Sequence, residues 1–172
     1  MKSGRQVLLY KPDNIVFPFD FSMIQGAESV SSFNNGSLYT VAEPNGLGIR
    51  FVPFPSRLMR PSNVLVEFKW QLQEVEKIRS ITLNLESFVG TENLVQNIEL
   101  YDHVQRKFVV VDSQLASLKA TMSSIRIEKN ISRFVSPSNS QIRARIGWQL
   151  PRPVANASWF AKLNHFVWDV EQ

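Results

Sequence analysis

Four tryptophans (Trp70, Trp148, Trp159 and Trp168) are this chain's most distinctive chemical equipment, because a flat indole face stacks on a pyranose ring. In the stretch SQIRARIGWQL, residues 140–150, Arg143 and Arg145 lie close to Trp148, a set that can grip a sugar or a nucleic acid. Parity separates them. Ile142, Ala144, Ile146, Trp148 and Leu150 share one face of an alternating strand, and Arg143, Arg145, Gly147 and Gln149 share the other. Trp148 therefore points away from the arginines into a core. The arginines face water, where Glu67, Glu86 or Glu128 is the expected cross-strand partner. Trp70 and Trp168 also share faces with apolar neighbours, Val66 and Phe68 for one, Phe166 and Val170 for the other. Trp159, in NASWF, follows a Pro-rich loop without alternation; it is the one tryptophan open to exposure, although a loop aromatic more often plugs the end of a sandwich core than binds ligand.

Other reactive groups are sparse. The two histidines, His103 and His165, come with no cysteine, which is poor material for a transition-metal site. Each reads as solvated or hydrogen-bonded. The acids Glu67, Glu86, Glu99, Asp102, Asp112, Glu128 and Asp169 are spread singly, and nothing marks out two of them as a glycosidase pair. No G-x-S-x-G elbow, P-loop or G-x-G-x-x-G is present. Loops with Asn34, Asn35, Glu43 and Asn45 offer oxygens to calcium, but none is acid-dense. No enzyme activity and no cofactor are expected, and structural calcium is not favoured. Asn35, Asn130 and Asn156 fit the N-glycosylation pattern at near-chance frequency.

The elements that must position these groups have a period of two. VFPFDFSM puts Phe17, Phe19, Phe21 and Met23 on one face. LGIRF, NVLVEFKWQL, SITLNLES, SIRIEK and HFVWDV alternate in the same way. NIELYD-HVQR-KFVVVD reads as a hairpin with a four-residue loop. Turn signals such as KPDN, EPNG and SPSNS lie between these runs. Residues 112–122 are the best candidate for a helical turn, and 130–136 for a short helical connector.

With 172 residues, 44% hydrophobic, 20% charged and 12 phenylalanines, the chain can bury a real core. Its formal charge is +4, yet the densest basic group is Arg57 with Arg60. No nucleic-acid partner is expected. No apolar run approaches the roughly 20 residues that span a bilayer, so membrane insertion is not expected either. The start, MKSGRQVLLYKPDN, lacks a signal-peptide core. If the chain is a fragment of a longer exported protein, an extracellular or periplasmic place is expected. The pattern predicts one all-β domain over 1–172, a two-sheet antiparallel jelly-roll sandwich. Its core spans about residues 15–171, and 1–14 form an extension or edge strand.

Three segments carry a family resemblance: FPFDFSMIQGAESVSSFNNGSLYTVAEP at the start, ITLNLES with QNIELYDHVQRKFVVVD in the middle, and ISRFVSPSNSQIRARIGWQL with LNHFVWDV at the end. Together they resemble galactose-binding-like jelly-roll domains from about residue 15 to 171. Asn34 and Asn35 stand where such domains often carry an Asp, which weakens the transfer of a calcium site. The resemblance implies a non-catalytic binding or accessory module with carbohydrate as ligand. The end loops of the sandwich would hold the site, and the candidates there are Trp159, Phe160, Asn156, Arg152, Asn45 and Arg57. The tryptophan would stack, Asn would exchange hydrogen bonds with hydroxyls, and Arg would bind vicinal oxygens. The alternative is a structural or protein-interaction domain of a larger exported protein, with Val52, Phe54 and Val167 as contacts.

Overall fold

A computed structural model describes residues 14–28, 48–53, 63–152 and 158–172. The strands are β1 (Ile15–Val16), β2 (Asp20–Gln25), β3 (Ala27–Glu28), β4 (Ile49–Val52), β5 (Asn63–Gln71), β6 (Ser80–Val89), β7 (Val95–Asp102), β8 (Lys107–Leu115), β9 (Thr121–Ile127), β10 (Gln141–Gln149) and β11 (Ala161–Glu171). One sheet runs β3-β4-β11-β6-β9, with β1 also on β11, and the other runs β2-β5-β10-β7-β8. Single helical turns at Val75–Lys77 and Ile131–Arg133 are the helical elements among the described residues, and no helix there could cross a membrane.

Alternation builds the core as expected. Val66, Phe68 and Trp70 of β5, Ile81, Leu83 and Leu85 of β6, and Ile142, Ala144, Ile146 and Trp148 of β10 are all buried between the sheets. Phe166 joins the two layers, edge-on to Phe68 at 4.9 Å and to Trp70 at 5.1 Å. Such aromatic pairs contribute about 0.5–1.5 kcal/mol beyond their burial. One polar link also crosses the core. Gln96 Oε1 of β7 accepts from Ser87 Oγ of β6 at 2.7 Å and from Trp148 Nε1 of β10 at 2.9 Å.

Several expectations need correction. Phe17 and Phe19 are exposed, while Phe21 and Met23 pack against the core. The chain leaves one sheet after β1 and enters the other at β2, so residues 17–19 belong to no strand and their alternation has no sheet to serve. The helical turn expected in 112–122 is absent. Instead, β8 continues to Leu115 against β7, Ala116 N donates to Leu94 O at 2.8 Å, and Val89 N donates to Ser117 O at 2.9 Å. Neighbouring strands thus claim the backbone groups a helix would need. The connector at 130–136 does contain its helical turn. The hairpin forms as read, with residues 103–106 as its loop.

Gly26, with φ +89, carries the chain from β2 to β3 across the sandwich edge, and a Cβ there would sit 2.8 Å from Val52 O. Strand β11 carries an irregularity between Leu163 and His165 that changes the phase of its alternation. Ala161 and Leu163 point inward before it, and Phe166, Trp168 and Val170 after it.

Candidate functional site

The outer face of the five-stranded sheet holds the densest set of polar and aromatic side chains. Antiparallel register lays them out as a grid: Arg145 lies opposite Glu67, Arg143 opposite Lys69, and on the far side of β5 Ser22 faces Glu67 and Asp20 faces Lys69. Glu67 is only 3% exposed although it stands on the wet parity of β5. Two guanidiniums cover it. Arg143 Nε donates to Glu67 Oε1 at 2.7 Å and Arg145 Nε to Oε2 at 3.1 Å, and the Nη2 atoms reach the same oxygens at the same distances. Lys69 Nζ pairs with Asp20 Oδ2 at 2.7 Å.

The β7–β8 hairpin supplies the aromatic backing. The Arg145 guanidinium lies 3.5 Å from the Phe108 ring centre, and that of Arg143 lies 4.6 Å from the Tyr101 ring. Tyr101 meets Phe108 edge-on at 5.1 Å and His103 at 4.9 Å. Cation–π contacts of this kind favour a fixed, partly desolvated cation. At the foot of the hairpin Asp102 is fully buried, and Arg133 Nε donates to its Oδ2 at 2.9 Å. That hydrogen bond, opposed by burial and helped by the N–H groups of Gln105 and Val104, holds the Asp102 carboxyl below its ordinary value. Burial, and then the charge of Arg143, pushes His103 below 6.5 against the pull of Asp102. The balance favours the neutral imidazole.

These residues enclose an open groove of about 610 Å3, lined by Glu67, Lys69, His103, Arg143, Arg145 and the residues Ser136, Asn139 and Gln141 of the adjoining turn. Two positions further along β10 the side chains give way to Gly147, between Leu65 and Asn97 in register. Its missing Cβ leaves a slot of about 110 Å3 bordered by Gln25, Asn63, Asn97, Glu99 and Gln149. A Cβ at Gly147 would come 3.0 Å from Leu65 Cδ1 and 3.4 Å from Val64 O. The face thus offers a basic groove and, beside it, a slot rich in amide donors and acceptors. No group of three or more metal-ligating side chains converges among the described residues.

Of the end-loop candidates, Trp159, Phe160 and Arg152 fall among the described residues. Trp159 is 5% exposed and belongs to the core, plugging the end of the sandwich instead of offering its face to solvent. Phe160 beside it is half-buried, with the Arg50 guanidinium 4.1 Å above its ring and Phe88 edge-on at 5.9 Å. Arg152 is exposed, and Asn156, Asn45 and Arg57 lie outside the described residues. Of the alternative contacts, Val52 is half-buried, Phe54 is outside the described residues, and Val167 is fully buried. Buried as it is, Val167 offers no outer contact. Sequence reasoning had no local signal for Tyr101 and Phe108, which gain their role from the β10-β7-β8 order of the sheet.

No protein-family model matches the sequence. No curated protein matches it either. Among solved structures, the chain is similar to TmCBM61 in complex with beta-1,4-galactotriose, at 10% identity and a TM-score of 0.52, covering 88% of each chain. It also matches a carbohydrate binding module of family 29 at 10% identity and a TM-score of 0.48, over 91% of this chain and 86% of that one. The first of these carries the likeness, which is one of fold: this is an all-β, two-sheet antiparallel jelly-roll sandwich.

Proposed function

We propose that this chain is a non-catalytic carbohydrate-binding module whose saccharide lies on the outer face of the five-stranded sheet. The observation that carries this reading is the groove itself. Its donors are held on rigid strands, and Glu67 and the hairpin aromatics fix the two arginines in place. The amide-lined slot over Gly147 extends the polar surface along β10. The jelly-roll likeness to TmCBM61, a structure with a bound galactotriose, supports the class of ligand. Among the described residues lining the groove Glu67 is the one carboxylate, and both of its oxygens are engaged by arginines. That is a poor arrangement for a general acid or base, which needs a proton-exchanging oxygen near the substrate.

Affinity electrophoresis against a panel of soluble polysaccharides tests this. Binding is expected for wild type, lost in Gly147→Phe and reduced in Arg143→Gln, with circular dichroism reporting the fold of each variant. Arg152→Ala and Asn156→Ala are expected to bind as wild type. The opposite pattern would move the site to the end loops, and failure to bind any polysaccharide would remove the reading.

The second reading is a protein-interaction domain. Val110 (59% exposed), Leu115 (70%), Leu118 (49%) and Met122 (53%) favour it, because they line the edge strands β8 and β9 and the segment between them.

A further inference from the structure

The groove carries more positive charge than neutral sugar hydroxyls require. Lys69, Arg143 and Arg145 line it with Glu67, and Asp20, the partner of Lys69, stands at its margin. Within the groove and its margin three cations face two carboxylates, Glu67 and Asp20; a third carboxylate, Glu99, lies opposite Arg145 on β7 and belongs to the neighbouring slot.

Donor geometry points the same way. Glu67 engages Nε and Nη2 of both arginines, and the Nη1 groups have no partner among the described residues. Arg143 and Arg145 keep side-chain exposures of 33% and 24%, so part of each guanidinium remains open to solvent. Two unfilled N–H edges side by side, with Lys69 close by, suit the oxygens of an anion better than hydroxyls. Charge-assisted hydrogen bonds are roughly twice as strong as neutral ones.

We propose that the saccharide taken on this face is acidic, with its carboxylate or sulfate seated against Arg143, Arg145 and Lys69 and its uncharged part along the slot over Gly147. This rests on the carbohydrate-binding reading above and narrows it to anionic polymers.

The test is affinity electrophoresis and isothermal titration with four probes: polygalacturonate, fully methyl-esterified pectin, dextran sulfate and neutral dextran. Polygalacturonate or dextran sulfate is expected to bind about tenfold or more tightly than its neutral counterpart. The preferred anion of the two assigns the group as carboxylate or sulfate ester. The preference should weaken as sodium chloride rises. Lys69→Gln removes a half-exposed charge whose loss leaves the Glu67 array intact, and it should lower acidic-polymer affinity severalfold without changing the fold. Arg143→Lys keeps charge but loses the planar donor edge, and it should also bind more weakly.

Equal binding of acidic and neutral probes would overturn the proposal and leave the module reading standing. Undiminished polyanion binding by Lys69→Gln and Arg143→Lys would overturn it as well, since the attraction would then lie elsewhere on a chain of net charge +4. Binding to none of the polymers would defeat both readings.

Discussion

Replacing Glu67 with glutamine should destabilise the protein more than removing either arginine it holds. In the native structure one buried carboxylate receives four N–H contacts from two guanidiniums, at 2.7 Å and 3.1 Å. The glutamine amide keeps one carbonyl oxygen for one arginine and turns an N–H pair toward the other. One guanidinium thus loses its acceptor, and the other keeps only a neutral one. Hydrogen bonds to charged groups contribute about 1.5–3 kcal/mol each. Partial exposure lets the stranded arginine recover water, which places the total at about 2–3 kcal/mol. For a chain of this length each kcal/mol moves the melting temperature by about 2–4 °C. Glu67→Gln should therefore lower it by about 4–12 °C. Arg143→Gln or Arg145→Gln leaves Glu67 with its other partner and should cost only about 1 kcal/mol. Thermal unfolding followed by circular dichroism, with urea titration to confirm an unchanged m-value, measures all three. A Glu67→Gln melting temperature within 1 °C of wild type, or a smaller loss than for either arginine variant, would refute the reasoning.

Trp159→Ala should lose about 3–5 kcal/mol, read as a lower urea midpoint, because a nearly buried indole leaves a cavity; an unchanged midpoint would return Trp159 to the surface. Gly147→Ala should change stability by less than about 1 kcal/mol, since Leu65 can yield at its tip. The larger Gly147→Phe should block saccharide binding by filling the slot, and retained affinity in that variant would clear the slot of a role. Asp102 has a native pKa below its ordinary 3.8, so its contribution is complete above that value. It is lost as pH falls further, through the depressed native value. Urea midpoints between pH 2 and 5 should therefore show a steeper acid loss in wild type than in Asp102→Asn, and parallel curves would deny Asp102 that part.

The sandwich was legible wherever a strand keeps one face in the core. Residues 64–70, 81–85 and 142–148 alternate in the sequence and are buried in the same alternation. Parity also placed Arg143 and Arg145 outward, with Glu67 among three candidate partners. The choice of Glu67 follows from β10 pairing with β5, a non-local fact that no local pattern records. Its burial was hidden for the same reason, because the arginines that cover it are backed by Tyr101 of β7, which adjoins β10 on its other side, and by Phe108 of β8 beyond it. Trp159 took the commoner of its two readings, a loop aromatic that closes the end of the core, and so it lost the stacking role it was a candidate for. The irregularity at Asn164 is equally invisible, since one extra residue in a strand leaves no compositional mark.

Glu67 and the two rings also determine how this face meets whatever reaches it. A free arginine carries about 2 kcal/mol of rotamer entropy, normally forfeited when it docks on a ligand. Here that ordering happens during folding, because Arg143 and Arg145 are already clamped. An arriving anion finds a preset surface, so free and bound backbones should superimpose within about 1 Å. Encounter then needs orientation alone, with an association rate of about 10^5–10^7 M⁻¹s⁻¹, and differences between ligands are expressed in how long each one stays.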